Sequence, residues 1–304
     1  MTTVQPILRP VLSPVLRNVT SSRAGGGVKA FISTWKTDNA GTSNDDQITL
    51  PLEINGTYDF TVDWGDGNSD TITAYDQAEV THTYSSAGTY TIEIKGTIEG
   101  WQFDGGGDCK KITDVSQWYG LIIGNNTYYF YGCSNMTVSA TDELDVSGCG
   151  DLSGAFRDCN SMTSLITTNW DVSSIILQGL NRTFYGCMFL ELLDVSLWDI
   201  SSVEDMSYFF FNTDALDTND YGGIKNWDIT SLTGATGFMG ACTNSLSTAD
   251  YDDVLVNWEA QDVNDNVTIG FNNSTYTAGS AAETARTALV EEHGWVITDG
   301  GAAA

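Results

Sequence analysis

Residues 184–210, FYGCMFLELLDVSLWDISSVEDMSYFF, contain one complete copy of a pattern that recurs through the middle of the chain. The pattern begins with Phe-x-x-Cys, and its copies start at Phe130, Phe156, Phe184, Phe210 and Phe238, at intervals of 26 to 28 residues. One repeat of this length cannot bury its own apolar stripe, so successive repeats stack and bury it against each other. The pattern therefore predicts a solenoid in which Phe130, Phe156, Phe184 and Phe210 form one column.

The cysteines of the pattern are predicted to be core residues. Cys133, Cys159 and Cys187 follow their phenylalanines by three residues, and Thr213 holds the same place after Phe210. Threonine keeps the size of cysteine and loses its thiol chemistry, and a free cysteine packs well as a small apolar residue. We therefore expect buried, reduced thiols in this column, with neither a metal nor a catalytic role.

The later half of each repeat carries Asp-Val-Ser and Trp-Asp, as in Asp194-Val-Ser-Leu-Trp198-Asp199. With Phe-x-x-Cys, these motifs resemble the BspA-like leucine-rich-repeat surface proteins, which implies an irregular leucine-rich-repeat solenoid over residues 100–245. The copy between Phe130 and Phe156 departs from the family pattern, because Gly148-Cys149 stands where tryptophan is expected.

Residues 246–304 are predicted to be an α/β cap that closes the repeats. Asp250 is the expected N-cap of a helix over residues 251–259. Ser280-Ala-Ala-Glu283 forms a capping-box pattern for a second helix that ends near Gly294, and residues 295–298 follow as a strand. The ending GWVITDGG, residues 294–301, resembles the end of BspA-like arrays, notably in phage-encoded proteins.

Residues 28–99 alternate apolar and polar positions in short runs separated by turn residues, which is typical of a β-sandwich. VDWGDG (residues 62–67), THTY (81–84) and AGTY (87–90) follow in that order. Together they resemble the polycystic-kidney-disease (PKD) domain, which implies an immunoglobulin-like spacer or adhesion module. The expected fold class is thus mixed and β-rich, with a sandwich, a repeat solenoid and an α/β cap.

Residues 1–27 are predicted to be an extended arm that anchors the protein to a partner. Prolines at positions 6, 10 and 14 forbid a regular helix, and the segment has three arginines and no acidic residue. A disordered tail is the alternative. The residues expected to contact the partner are Leu8, Arg9, Leu12, Leu16, Arg17 and Arg23.

The net charge of −28 argues against nucleic acid as a partner, because phosphates would be repelled. The sequence has no apolar run long enough for a membrane span. Arg9, Pro10 and Arg17 interrupt the N-terminal apolar residues, so we expect no secretory leader.

No catalytic motif appears, and the expected class is not an enzyme. His82 and His293 are expected to be structural. No cofactor is expected, although two acidic turns resemble oxygen-rich calcium sites; these turns contain Asp63, Asp66 and Asp70, and Asp262, Asn264 and Asp265. Solvated turns are the favoured interpretation, with Asp66 bonding the turn backbone. Clustered aromatics are candidates for a binding face; they are Tyr128, Tyr129, Tyr131, Tyr208 and Phe209.

Adhesin-type modules without an export signal suggest a phage virion protein, which is assembled in the host cytoplasm and displayed on the particle. The expected role is a head fibre or decoration, or a tail fibre, that forms a homo-oligomer in the particle and contacts a capsid or tail protein through residues 1–27. Its outward ligand would be a host surface protein or glycan. The alternatives are a bacterial cell-surface adhesin and a polysaccharide-degrading tail spike.

Overall fold

The computed structural model describes residues 29–216 and 220–303, and it is rich in short β-strands with mixed parallel and antiparallel pairing. The strands of the described part are β1 (Phe31–Lys36), β2 (Gln47–Thr49), β3 (Leu52–Asp63), β4 (Ser69–Ile72), β5 (Thr81–Thr83), β6 (Thr89–Trp101), β7 (Ile112–Gln117), β8 (Leu121–Ile122), β9 (Thr137–Val138), β10 (Ser164–Leu165), β11 (Leu192–Leu193), β12 (Thr268–Gly270), β13 (Tyr276–Thr277), β14 (Val296–Thr298) and β15 (Ala302–Ala303). The α-helices of that part are α1 (Thr248–Glu259) and α2 (Ala281–Glu291), and neither is long and apolar enough to span a membrane.

The largest sheet has the order β4-β3-β6-β1-β7-β9, with β8 also paired to β6. Strand β1 lies antiparallel between β6 and β7, and its alternate residues Phe31, Ser33 and Trp35 are buried. Strands β7 and β9 come from beyond residue 99, so the sheet extends across the predicted boundary between residues 99 and 100. The division of the chain at that position stays a prediction.

A buried ion pair fastens the loop before β2 to the turn before β7. The side chains of Lys111 and Asp108 are fully buried, and Lys111 Nζ lies 3.9 Å from Asp108 Oδ1. Lys111 Nζ donates to the carbonyl oxygens of Ser43, Asn44 and Gln47 at 3.1, 2.8 and 3.0 Å. Asp108 accepts the backbone N–H groups of Thr42, Ser43 and Thr49, so both charges are hydrogen-bonded on several sides.

The phenylalanines of the repeats form the predicted column. Ring centroids are 5.4 Å apart between Phe130 and Phe156, 5.9 Å between Phe156 and Phe184, and 6.2 Å between Phe184 and Phe210, with nearly parallel planes. Backbone hydrogen bonds join the same turns, as in Phe156 N to Thr183 O at 2.9 Å. The prediction that these four rings share one column is confirmed.

The cysteine column runs beside the phenylalanines. Cys133, Cys159 and Cys187 are buried and form no disulfide, which confirms the prediction of buried, unbridged thiols. Cys159 Sγ donates to Phe130 O at 3.1 Å, and Cys187 Sγ donates to Phe156 O at 3.0 Å. Cys159 and Cys187 therefore each bond a carbonyl of the turn before, and burial raises the pKa of the Cys187 thiol.

The indole N–H groups of the tryptophans also donate to carbonyl oxygens of the preceding turn. The indole N–H of Trp198 donates to Thr167 O at 3.3 Å, and that of Trp227 donates to Val195 O at 3.0 Å. In both cases the acceptor lies three residues before the tryptophan of the preceding turn. Trp258 on α1 obeys the same rule by donating to Ile224 O at 3.0 Å, so the helix takes the place of one more turn.

The first tryptophan of the series breaks the rule. Trp170 Nε1 is buried and has no hydrogen-bond partner within the described residues. The turn before it contains Gly148-Cys149 in place of tryptophan. The departure from the family pattern therefore coincides with an unpaired donor.

The C-terminal helices begin at hydroxyl caps. Helix α1 starts at Thr248 and is capped by Ser247, whose side chain accepts from Asp250 N. The prediction of Asp250 as the cap of a helix starting at residue 251 was therefore wrong: the serine hydroxyl three residues earlier bonds that N–H, and Asp250 Oδ2 accepts the hydroxyl at 2.6 Å. Helix α2 is capped by Ser280, as predicted.

Candidate functional site

Each phenylalanine of the column is flanked by backbone with positive φ, which turns the chain sharply on either side of it. Two residues before the phenylalanine this position is Gly154 in one turn (φ 60°). In the other turns it is Tyr128, Arg182 and Tyr208, with φ of 56°, 59° and 60°. Glycine adopts this conformation freely, whereas a bulky side chain there costs about 1–3 kcal/mol. Three turns therefore place a large side chain where glycine fits best.

These three side chains belong to a set of stacked aromatic and arginine groups, which we call the ladder. Its members are half-buried; they are Tyr128, Tyr131, Arg157, Arg182, Tyr185, Tyr208 and Phe211.

One row of the ladder consists of the residues that directly follow the column phenylalanines. Arg157 Cζ lies 4.6 Å from the ring centroid of Tyr131 and 5.0 Å from that of Tyr185, so its guanidinium contacts both rings. The rings of Tyr185 and Phe211 stack at 4.9 Å with an interplanar angle of 4°. Arginine is thus held by cation–π contacts within a continuous row.

The second row consists of the large side chains at positive φ. Arg182 Cζ lies 4.7 Å from the ring centroid of Tyr208. The Tyr128 ring lies against Gly154, where a Cβ atom would come within 2.2 Å of it. Tyr128 also contacts Tyr131, with ring centroids 5.6 Å apart, which joins the two rows.

Several polar groups of the ladder have no partner within the described residues. The hydroxyls of Tyr128, Tyr131, Tyr185 and Tyr208 form no hydrogen bond there. Arg157 Nε is buried without an acceptor, although Asp158 Oδ2 lies 3.5 Å away, and Asn160 Oδ1 is also buried and unpaired. Of these groups, Arg157 Nε and Asn160 Oδ1 are buried, and buried polar groups are normally hydrogen-bonded; the tyrosine hydroxyls are not among the buried unpaired atoms.

The structure divides the predicted aromatic cluster in two. Tyr128, Tyr131 and Tyr208 are in the ladder. Tyr129 and Phe209 are fully buried, and the Tyr129 hydroxyl donates to Asn126 O at 2.7 Å. Sequence reasoning missed four members of the ladder, which are Arg157, Arg182, Tyr185 and Phe211. Counting one residue after, or two before, each column phenylalanine would have identified all seven.

The first acidic turn uses its carboxylates for internal hydrogen bonds. Asp63 accepts from Gly65 N at 2.9 Å, and Asp70 accepts from Trp64 Nε1 at 2.8 Å. Asp66 accepts from Asn68 N at 2.9 Å, as predicted, and it pairs with His82 Nε2 at 2.9 Å. Burial raises the pKa of Asp66, but its hydrogen bonds with His82 and Asn68 outweigh this, and the net pKa is lowered.

The second acidic turn is held to its neighbours. Asn264 Nδ2 donates to Thr230 O at 2.9 Å, and Asp265 Oδ1 lies 3.2 Å from His293 Nδ1. In neither turn, nor elsewhere in residues 29–216 and 220–303, do three or more His, Cys, Asp or Glu side chains form a group that could hold a metal ion.

The predicted anchoring residues lie outside the described part of the chain. They are Leu8, Arg9, Leu12, Leu16, Arg17 and Arg23.

Comparison with known proteins gives one family match. Residues 124–251, less than half of the chain, match the family described as "Mycoplasma protein of unknown function, DUF285". The matched residues contain the phenylalanine column and the ladder, and the match is consistent with the resemblance to BspA-like surface proteins. No curated protein and no solved structure matches the chain.

Proposed function

We propose that this chain is a non-enzymatic adhesion protein that binds its ligand through the ladder. The observation that carries the proposal is the row of strained, half-buried aromatic and arginine side chains. Backbone strain that the fold tolerates at successive turns is characteristic of functional sites. Aromatic residues and arginine are also the side chains that most often dominate binding energy.

The proposed architecture has three parts. Residues 28–99 form a PKD-like, immunoglobulin-like sandwich that acts as a spacer. Residues 100–245 form a leucine-rich-repeat solenoid that presents the ladder, and residues 246–304 close it. The stacked columns and the family match to residues 124–251 support the solenoid, while the motifs of residues 62–90 support the sandwich.

Display on a phage particle is the form of the proposal that best unites adhesin-type modules with the basic, proline-containing segment 1–27. The segment would bind a capsid or tail protein and leave the ladder facing outward. Deleting residues 1–24 is expected to abolish incorporation into particles while the rest of the chain stays folded. Particles that carry the truncated protein at normal occupancy would contradict this form of the proposal and leave a bacterial cell-surface adhesin as the alternative.

The adhesion proposal can be tested with variants that the backbone favours. Arg182→Gly and Tyr208→Gly remove ladder side chains at positive φ, where glycine is unstrained. Binding to a panel of bacterial cells and to an array of surface glycans would be compared with that of the original chain. The double variant is expected to bind at least about tenfold more weakly, as for loss of hot-spot residues.

Leu197→Ala is the matched control, because Leu197 is 71% exposed and lies outside the ladder. It should bind like the original chain, and circular dichroism should show that all variants are folded. Equal binding by the double glycine variant and the control would show that the ladder does not bind the ligand.

A further inference from the structure

Arg157 differs from the other basic residues of the described part in how it is held. Its guanidinium lies between the Tyr131 and Tyr185 rings. Arg157 Cζ is 4.6 Å from the first ring centroid and 5.0 Å from the second, which are cation–π contacts. Contacts on both faces leave the edge of the planar group as the part that can donate hydrogen bonds. A guanidinium fixed in this way loses little conformational entropy when it binds a planar, two-oxygen acceptor.

The donors of Arg157 have one charged partner in the described residues, which is the Asp158 carboxylate near Nε. The guanidinium forms no hydrogen bond within the described residues, and Nε is buried without an acceptor. Asp158 Oδ2 lies 3.5 Å from Nε as an ion-pair partner. A carboxylate bound at the edge of the guanidinium would supply acceptors for its N–H groups.

The neighbouring groups favour a polyhydroxyl ligand that runs along the stack. Tyr131 and Tyr185 lie on the turns either side of Arg157, and their hydroxyls form no hydrogen bond in the part of the chain that the structure describes. A tyrosine hydroxyl both donates and accepts, as sugar hydroxyls do. Arg157 covers one face of the Tyr131 ring, and Arg157 and Phe211 both lie against the Tyr185 ring, so the hydroxyl edges of these tyrosines are what the row offers to a ligand.

The negative net charge of the chain disfavours a ligand that carries many closely spaced negative charges. With a net charge of −28, the protein repels a polymer that carries a negative charge on every unit. A polymer with carboxylates separated by neutral sugars is repelled less and still offers one carboxylate to Arg157. The net charge therefore favours a uronic acid polysaccharide with neutral sugars between its carboxylates over nucleic acid and densely sulfated glycans.

We infer that Arg157 is a carboxylate-recognition residue and that the ligand of the ladder is a polysaccharide of alternating acidic and neutral sugars. This inference rests on the proposed adhesion function and names the ligand class for the same site. The test uses the full chain and an oligosaccharide of alternating glucuronic acid and N-acetylglucosamine. The matched ligand is the same oligosaccharide with its carboxyl groups reduced to alcohols, and binding is measured by calorimetry.

Arg157→Gln is expected to weaken binding of the acidic oligosaccharide at least about tenfold, because one partner of a charge-assisted pair is removed. Arg157→Lys should recover only part of the loss, since lysine keeps the charge and lacks the planar fork. Lys95→Gln removes the same charge from an exposed site and should leave binding unchanged. For Arg157→Gln, the acidic and the reduced oligosaccharide should bind equally.

The thermal midpoint of each variant distinguishes loss of the site from loss of the fold. Equal binding of the acidic and reduced oligosaccharides by the original chain would overturn the inference, as would no binding of either. The adhesion proposal would survive both results if the double glycine variant still lost binding to cells. Full recovery by Arg157→Lys would overturn the role of the planar group.

Discussion

Replacing Lys111 with methionine tests the buried ion pair that fastens the loop before β2. Methionine fills a similar volume but removes the ammonium, which leaves the Asp108 carboxylate buried without its counter-charge. The carbonyl oxygens of Ser43, Asn44 and Gln47 also lose a donor. Removing one partner of a buried pair costs about 3–5 kcal/mol, and we expect the free energy of unfolding to fall by this amount.

Urea unfolding followed by tryptophan fluorescence measures the effect. With a slope of about 3 kcal/mol/M, the midpoint should fall by roughly 1 to 2 M. Lys110→Met is the control, because Lys110 is exposed and adjacent in sequence. It should change the free energy of unfolding by less than about 0.5 kcal/mol. A loss below about 1 kcal/mol for Lys111→Met would refute the reasoning, since it would mean that the loop relaxes and hydrates the carboxylate.

Three further predictions concern the repeats and the first turn. Gly154→Ala should destabilise the chain by about 1–3 kcal/mol in urea unfolding, because a Cβ atom would clash with Tyr128 at positive φ; Tyr128→Gly in the same chain should relieve the clash. The column cysteines should resist a thiol reagent until the chain unfolds, because burial raises the pKa of Cys187; rapid labelling of the native protein would contradict this. Asp66 has a lowered pKa in the folded protein, so its contribution to stability is present above its unfolded pKa and is lost as pH falls through the folded pKa. Asp66→Asn should therefore reduce the fall in thermal midpoint at acidic pH. An unchanged fall in the variant would contradict this role of Asp66.

The parts of the fold that could be predicted from sequence are those that repeat. Phe-x-x-Cys recurs at nearly constant spacing, and an interaction between equivalent positions then follows for every pair of turns. The phenylalanine and cysteine columns were predictable for this reason. The capping residue of α1 was not, because Ser247 and Asp250 both suit a helix start and only the path of the preceding chain decides between them.

The ladder was only partly predictable, because its members differ in residue type from turn to turn. Tyrosine, arginine and phenylalanine occupy one row, so residue type does not identify its members, although their spacing from the column phenylalanines does. Adjacent tyrosines such as Tyr128 and Tyr129 also have opposite environments, one half-buried and one in the core. A sharp turn rotates consecutive side chains to different faces, and composition carries no information about that rotation.

The tryptophan hydrogen bonds have a consequence for how such an array changes length in evolution. Each bond joins a tryptophan to the turn before it, and α1 supplies Trp258 in the same manner. A duplication of one whole turn would therefore bring its own donor and acceptor, and both junctions would be satisfied. The molecule would grow by roughly 4.8 Å, the spacing of paired strands. An insertion of half a turn would leave an indole without its carbonyl, as at Trp170, so gains and losses of whole turns are the changes that this stack accommodates.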